Sequence, residues 1–275
     1  MFAFWTKIKQ NPVYQRERGR WGEPNRFFAT LNRYSPFLVI GIFVFTICCG
    51  SYSSLIGLDS TLTTFWAILC LPNLAMNGLM WAVVLLVPAL TAPSISEEMK
   101  QGTWDILRLT PQPMSDILLA KVFGGLARLK IWWPMLIVSL FQMAGAVLGI
   151  VTMQAFESTG ENLLLVILLA VAVVTRPWLE VLCVALIGIN FSAVAGSART
   201  ALVGSYAVIL LLRLFIYLGS FVFSLAISEI TGIGSGAVSV TNSLSTALYF
   251  FLAIGLLFLL YWQAKRLSFG DQKVD

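Results

Sequence analysis

The stretch SEEMKQGTWDILRLTPQP, residues 96–113, places Glu97, Glu98, Lys100, Asp105 and Arg108 between two long apolar runs. The chain around it is 58% hydrophobic and 11% charged, so this concentration calls for a reason. Grouped carboxylates serve metal binding, acid–base chemistry or electrostatic docking of a partner. The first two find little support. Glu97, Glu98 and Asp105 share their face with Arg108 and form no DxxxD-type pair. The chain has no histidine, which removes the usual general base and the commonest metal ligand. Cys48, Cys49, Cys70 and Cys183 lie inside apolar runs without ligand spacing, where cysteine behaves as a small hydrophobe. No GxxxxGK[ST] loop occurs, and GGLARLK at 124–130 has its glycines and lysine wrongly spaced. The expectation is no catalytic residue, no metal site and no cofactor bound by this chain.

The elements that carry these residues follow from hydropathy. A mean of +0.85 is far above that of a soluble domain. Apolar runs of about 20 residues, enough for a helix to cross the hydrocarbon, recur along the chain. Strand-type alternation is absent from them, which disfavours a β-barrel. The fold class is therefore an all-α polytopic membrane protein. Six spans are read, at approximately 37–57, 66–91, 122–151, 163–196, 201–227 and 244–264. Thr175-Arg176-Pro177 interrupts the fourth, suggesting that 163–174 is a separate outer segment or lies beyond a strong kink. The glycine-rich stretch 228–243 reads as an outer loop, exposed or dipping back into the membrane.

Charge orients these spans. With the N-terminus inside, the inner segments 1–35, 94–130, 199 and 265–275 collect sixteen of the eighteen Lys and Arg residues. The outer loops collect none. The positive-inside rule thus gives six transmembrane helices with both termini cytoplasmic. Three regions follow: a cytoplasmic or interfacial basic segment 1–36, a transmembrane domain 37–264 and a cytoplasmic tail 265–275. In the first, Asn11-Pro12 reads as an N-cap with proline at the first helical position. Arginines interleaved with aromatics predict an amphipathic interfacial helix there. The opening MFAFW is too short, and wrongly flanked, for a cleaved signal peptide. The net charge of +5 fits anionic headgroups and topology rather than nucleic acid.

The charged stretch then falls in the cytoplasmic loop between spans two and three. At 100° per residue, Glu97, Glu98, Gln101, Asp105 and Arg108 share one arc, with Ile95, Met99 and Ile106 opposite. The expectation is a two-faced surface helix, with Gly102 marking a bend or the close approach of another backbone. A loop of about 30 residues exceeds what a solvated connector needs, which favours a partner surface.

SISEEMKQGTWDILRLTPQPMSDILLAKVFGGL, residues 94–126, resembles the cytoplasmic loop of ABC-2 type transporter permeases. In that family an acidic residue precedes Gly-Thr, an amphipathic run ending in Thr-Pro follows, and a lysine opens span three. Glu98, Gly102, Thr103, Leu107, Thr110, Pro111 and Lys121 occupy those positions. NPVYQRERGR (11–20), with Glu17 at the acidic position, is similar to the start of many such permeases. GSARTALVGSY (196–206) resembles their short inner loop. The longer basic N-terminus and the interrupted fourth span depart from the pattern. The resemblance implies a cell-membrane permease subunit, more often an exporter, paired with a second permease as a homo- or heterodimer. It also implies a separate ATPase that carries ATP and magnesium. Residues 94–121 would be the coupling loop, with Glu97, Glu98, Gly102, Thr103, Asp105, Leu107, Arg108, Thr110 and Pro111 meeting that ATPase.

Polar residues inside spans are costly and mark contacts or paths. Asn73 and Asn77 stack at i,i+4, as do Arg176 and Glu180, while Tyr206, Arg213 and Tyr217 share a face of span five. They are read as interhelical contacts or as the lining of a translocation path, with Glu180 pairing to Arg176 or Arg213. Two other readings remain open. One is a membrane anchor or regulatory subunit that uses the same ATPase without moving a substrate. The other is an intramembrane enzyme such as a lipid-linked transferase, with Glu97, Glu98 and Asp105 as its carboxylates.

Overall fold

The computed structural model describes residues 2–20, 30, 33–34, 37, 60–129, 132–140, 142–143, 163–231 and 234–269. Among these residues every regular element is helical. The chain opens with α1 (Phe2–Gln10), α2 (Pro12–Gln15) and a π-helical turn at Arg16–Arg20. Asn11 caps α2 as its sequence predicts: its Oδ1 accepts the Val13 N–H at 2.9 Å, and Pro12 fills the first helical position.

Helix α3 (Ser60–Thr91) runs almost directly into α4 (Pro93–Lys100), followed by α5 (Thr103–Arg108) and α6 (Met114–Arg128). A short helix Trp132–Leu140 lies at 74° to α6. The Trp132 indole fixes this corner by donating to the Leu126 carbonyl at 3.0 Å and stacking on Trp178 at 5.5 Å. Three long helices complete the chain: α7 (Leu163–Val194), α8 (Ala198–Thr231) and α9 (Gly234–Phe269).

Four stretches are long and apolar enough to cross a membrane: Met76–Lys100, Val171–Val194, Ala198–Phe223 and Leu244–Leu267. A fifth is added if α6 and Trp132–Leu140 form one bent span. This is consistent with a membrane protein. Residues 38–57 of the first run and the end of the run 122–151 lie outside the described residues.

Two expectations change. The segment 163–174 is not separate, because α7 continues through Pro177. Proline removes one N–H from the ladder, the one that would serve the Val173 carbonyl, and hydroxyls bond the carbonyls just before it. Thr175 donates to the carbonyls of Val171 and Ala172 at 2.8 and 3.3 Å, and Thr246 of α9 to Ala172 at 3.1 Å. The glycine-rich stretch 228–243 is likewise mostly not a loop. Residues up to Thr231 end α8, and Gly234 already opens α9.

Helix α7 is central, with α3, α8 and α9 all packed against it. Val181, Val184, Ala185, Leu186 and Ile189 are buried there together with Val83, Val84 and Val87 of α3. By contrast, α8 and α9 turn Leu211, Phe215, Phe221, Phe251 and Phe258 outward, each more than 60% exposed. Apolar side chains displayed on that scale suit lipid or another apolar helix rather than water.

Candidate functional site

The charged segment Pro93–Arg108 is two helices set at an angle, not one. Gly102 adopts φ +70°, the left-handed residue that ends α4, and a Cβ built on it meets nothing within 4 Å. Of the two roles expected for Gly102, the bend is the one found. Thr103 Oγ1 closes the corner by donating to the Glu98 carbonyl at 3.3 Å. The break rotates α5 relative to α4, so the continuous charged arc does not form. Ile95 is buried as expected, but Met99 and Ile106 are exposed, and Trp104 and Leu107 turn inward instead. Glu97, Asp105, Arg108, Leu109, Thr110 and Pro111 face outward.

This segment is tied firmly to the helices behind it. The Ile95 and Ser96 N–H groups donate to Ser192 Oγ of α7 at 2.9 and 3.2 Å. A hydroxyl on one helix thus satisfies the first turn of another, where orphan donors need partners. Beside it, a Cβ on Gly188 would stand 2.0 Å from Thr91 Oγ1, so only glycine lets α7 approach the α3–α4 junction so closely.

Glu98 does not join Glu97 on an outer face. It is 7% exposed and sits in an ion cluster joining three parts of the chain. Its Oε1 accepts from Arg16, and its Oε2 lies 2.7 Å from Lys121 Nζ, an ion pair without the alignment of a hydrogen bond. Lys121 also donates to Glu17 at 3.2 Å and to the Ser94 carbonyl at 3.3 Å. The Lys121 side chain has no exposed surface, and a charge so placed is tolerable only when paired. The cluster clasps the N-terminal segment, α4 and α6 together. Gly124 makes room for it, since a Cβ there would stand 2.6 Å from Glu17 Cβ. Lys7 adds a surface pair to Asp116 at 2.7 Å. Residues 2–20 therefore pack against α6, with Ile8, Val13 and Tyr14 buried.

Within the long apolar helices, Glu180 pairs with Arg213: Arg213 Nε donates to Glu180 Oε1 at 2.8 Å, with both side chains under a tenth exposed. The guanidinium carbon lies 4.2 Å from the Trp81 ring centroid, a cation–π contact that brings α3 to the pair. Its Nη1 is buried without a hydrogen-bond partner among the described residues. Arg176 is half-buried one turn from Glu180. Asn190 Nδ2 donates to the carbonyls of Leu186 and, at 3.4 Å, Leu256, which links α7 to α9. The Tyr206 hydroxyl donates to the Leu85 carbonyl, whereas Tyr217 and Asn77 are exposed. Asn73 lies in α3.

Glu97, Glu98 and Asp105 do not converge, and among the described residues no three His, Cys, Asp or Glu side chains stand together as a metal site. The sequence did not reveal Ser192 or Trp81 as contributors, because their partners come from distant helices. Lys121 carried a signal, a single cation in the apolar run ILLAKVFGGL. No protein-family model, no curated protein and no solved structure matches this chain.

Proposed function

We propose that this chain is the transmembrane subunit of an ABC-type transporter of the ABC-2 kind, energised by a separate cytoplasmic ATPase. In this reading six spans cross the cell membrane with both termini cytoplasmic, and two permease subunits pair. Transport is outward. ATP and magnesium belong to the ATPase, and this chain contributes no hydrolytic residue.

The observation that carries the reading is the build of α4–α5. Its inner side is fastened to α7 through Ser192 and to α6 and the N-terminal segment through Glu98. Its outer side presents Glu97, Asp105, Ile106 and Leu109, with Ile106 66% and Leu109 85% exposed. An element exposed to a partner yet held rigidly to spans can transmit a push, because packed interiors shift between discrete arrangements rather than deforming continuously. The Glu180–Arg213–Trp81 contact then serves to register α3, α7 and α8 as they move together.

Affinity purification of the full chain from its native membrane tests the proposal. An ATP-binding cassette protein should copurify in defined stoichiometry, and its ATPase activity should change when Asp105→Lys is introduced. Purification without any nucleotide-binding protein, under conditions that keep the chain folded, refutes it.

A further inference from the structure

At the end of the bundle that carries α5, a half-open cleft of about 530 Å³ lies between α5, the end of α7 and the last turns of α9. That volume falls within the usual range of small-ligand sites. Gly102 creates it by swinging α5 away from α4, and α9 continues past the point where α7 stops at Val194. The inner wall is the buried Trp104 indole, and the rim carries Arg108 and Arg266, with Asp105, Trp262 and Gln263 beside them.

The polar groups here are under-used. Among the described residues Arg108 has only Asp105 as a distant ion partner, at 3.9 Å. Arg266 has no ion partner among the described residues. Gln263 Oε1 is buried without a hydrogen-bond partner among the described residues. Two guanidiniums and an amide flanking an indole suit a phosphate ester joined to an apolar body.

The cleft also opens onto lipid-facing surface. Trp262, Phe258 and Ile254 follow one another at one-turn spacing along α9, and are 54%, 70% and 50% exposed. Tryptophan at a span end with an arginine one turn beyond is the pattern of the membrane–water boundary.

We propose that this cleft binds the headgroup of an anionic phospholipid from the adjoining leaflet. Arg108 and Arg266 hold the phosphate, and the acyl chains lie along Trp262, Phe258 and Ile254. Asp105 selects within this class: its carboxylate disfavours a second negative charge and accepts from a headgroup hydroxyl, as a glycerol headgroup offers. The apolar stripe distinguishes this ligand from free phosphate or a nucleotide, neither of which has a use for it.

The test is native mass spectrometry of the full-length protein in detergent, titrated with dioleoyl phosphatidylglycerol or dioleoyl phosphatidylcholine. The wild type should retain the glycerol lipid preferentially. Arg266→Gln and Arg108→Gln should each weaken its binding about fivefold, the contribution of one surface cation to anionic lipid. Arg266→Lys should keep most of the binding, and Arg199→Gln, a basic side chain outside the cleft, should change nothing. Millimolar inorganic phosphate should fail to compete. The proposal is overturned by equal binding of the two lipids, by an equal loss in Arg199→Gln, or by displacement with phosphate alone. It is also overturned if the cleft variants keep their lipid but lose an ATPase partner, which would make the cleft that partner's seat. Gel-filtration profiles matching wild type establish that each variant is folded.

Discussion

The buried pair Glu180–Arg213 makes a prediction that can be worked through from its geometry. Both side chains are under a tenth exposed, and Arg213 Nε meets Glu180 Oε1 at 2.8 Å. Arg213 lies fifteen residues into α8, about 22 Å from its start at 1.5 Å per residue, and so deep in the proposed span. Glu180→Leu leaves a guanidinium whose remaining compensation is the Trp81 ring, and Arg213→Met leaves a bare carboxylate. Breaking a buried pair costs about 3–5 kcal/mol, whereas replacing both partners with apolar groups is often near neutral. A lone arginine at the centre of a membrane helix costs about 3 kcal/mol by insertion scales. Both routes put the coupling energy near 3 kcal/mol, roughly 150-fold in the equilibrium constant. A double-mutant cycle in mixed micelles, unfolded with SDS, measures it directly. Each single variant should be strongly destabilised and the double variant close to wild type. A coupling below about 0.5 kcal/mol would show that the pair is incidental. The charge-swapped double variant should recover assembly better than either of its component single changes.

Further outcomes follow from close approaches and from the ion cluster. Gly124→Ala should loosen the N-terminal segment at a cost of about 1–3 kcal/mol, because its Cβ would meet Glu17 Cβ at 2.6 Å; limited trypsin digestion after Arg16 and Arg18 should accelerate, and unchanged cleavage would refute the docking. Gly102→Ala should cost about 1 kcal/mol through its left-handed backbone alone, since the space around it is open; Gly102→Asn should cost less, and equal losses would mean that contacts matter there. Glu98→Gln should lower stability by about 2 kcal/mol, the scale of a charged hydrogen bond, whereas Glu97→Gln on the exposed side should be silent in the same thermal melt. Equal effects of these two changes would contradict the inward placement of Glu98.

Periodicity made much of this molecule legible. Apolar runs announced α3, α7, α8 and α9 because burial and lipid exposure both demand continuous hydrophobic surface. The Asn11 cap was readable because capping is local. Errors arose where one residue or one neighbour decides the outcome. Pro177 looked like a boundary, yet α7 runs through it unbroken from Leu163 to Val194. Gly102 looked like a cost inside one helix; its left-handed conformation instead makes two helices and sends Glu98 and Asp105 in opposite directions. Helical-wheel reasoning assumes an unbroken axis, and here the axis breaks within the segment it was applied to. The choice of Arg213 over Arg176 for Glu180 depends on a crossing between helices, which spacing within either helix does not encode.

The proposed function requires that the outer side of α5 seats an ATPase. A photo-crosslinking side chain placed at Ile106 or Leu109, in cells that make the natural partners, addresses it most directly. Irradiation should join the chain to an ATP-binding cassette protein from these two positions, and not from Phe258 on the outward-facing side of α9. Crosslinks from Ile106 and Leu109 only to lipid, or to proteins without a nucleotide-binding fold, would contradict it.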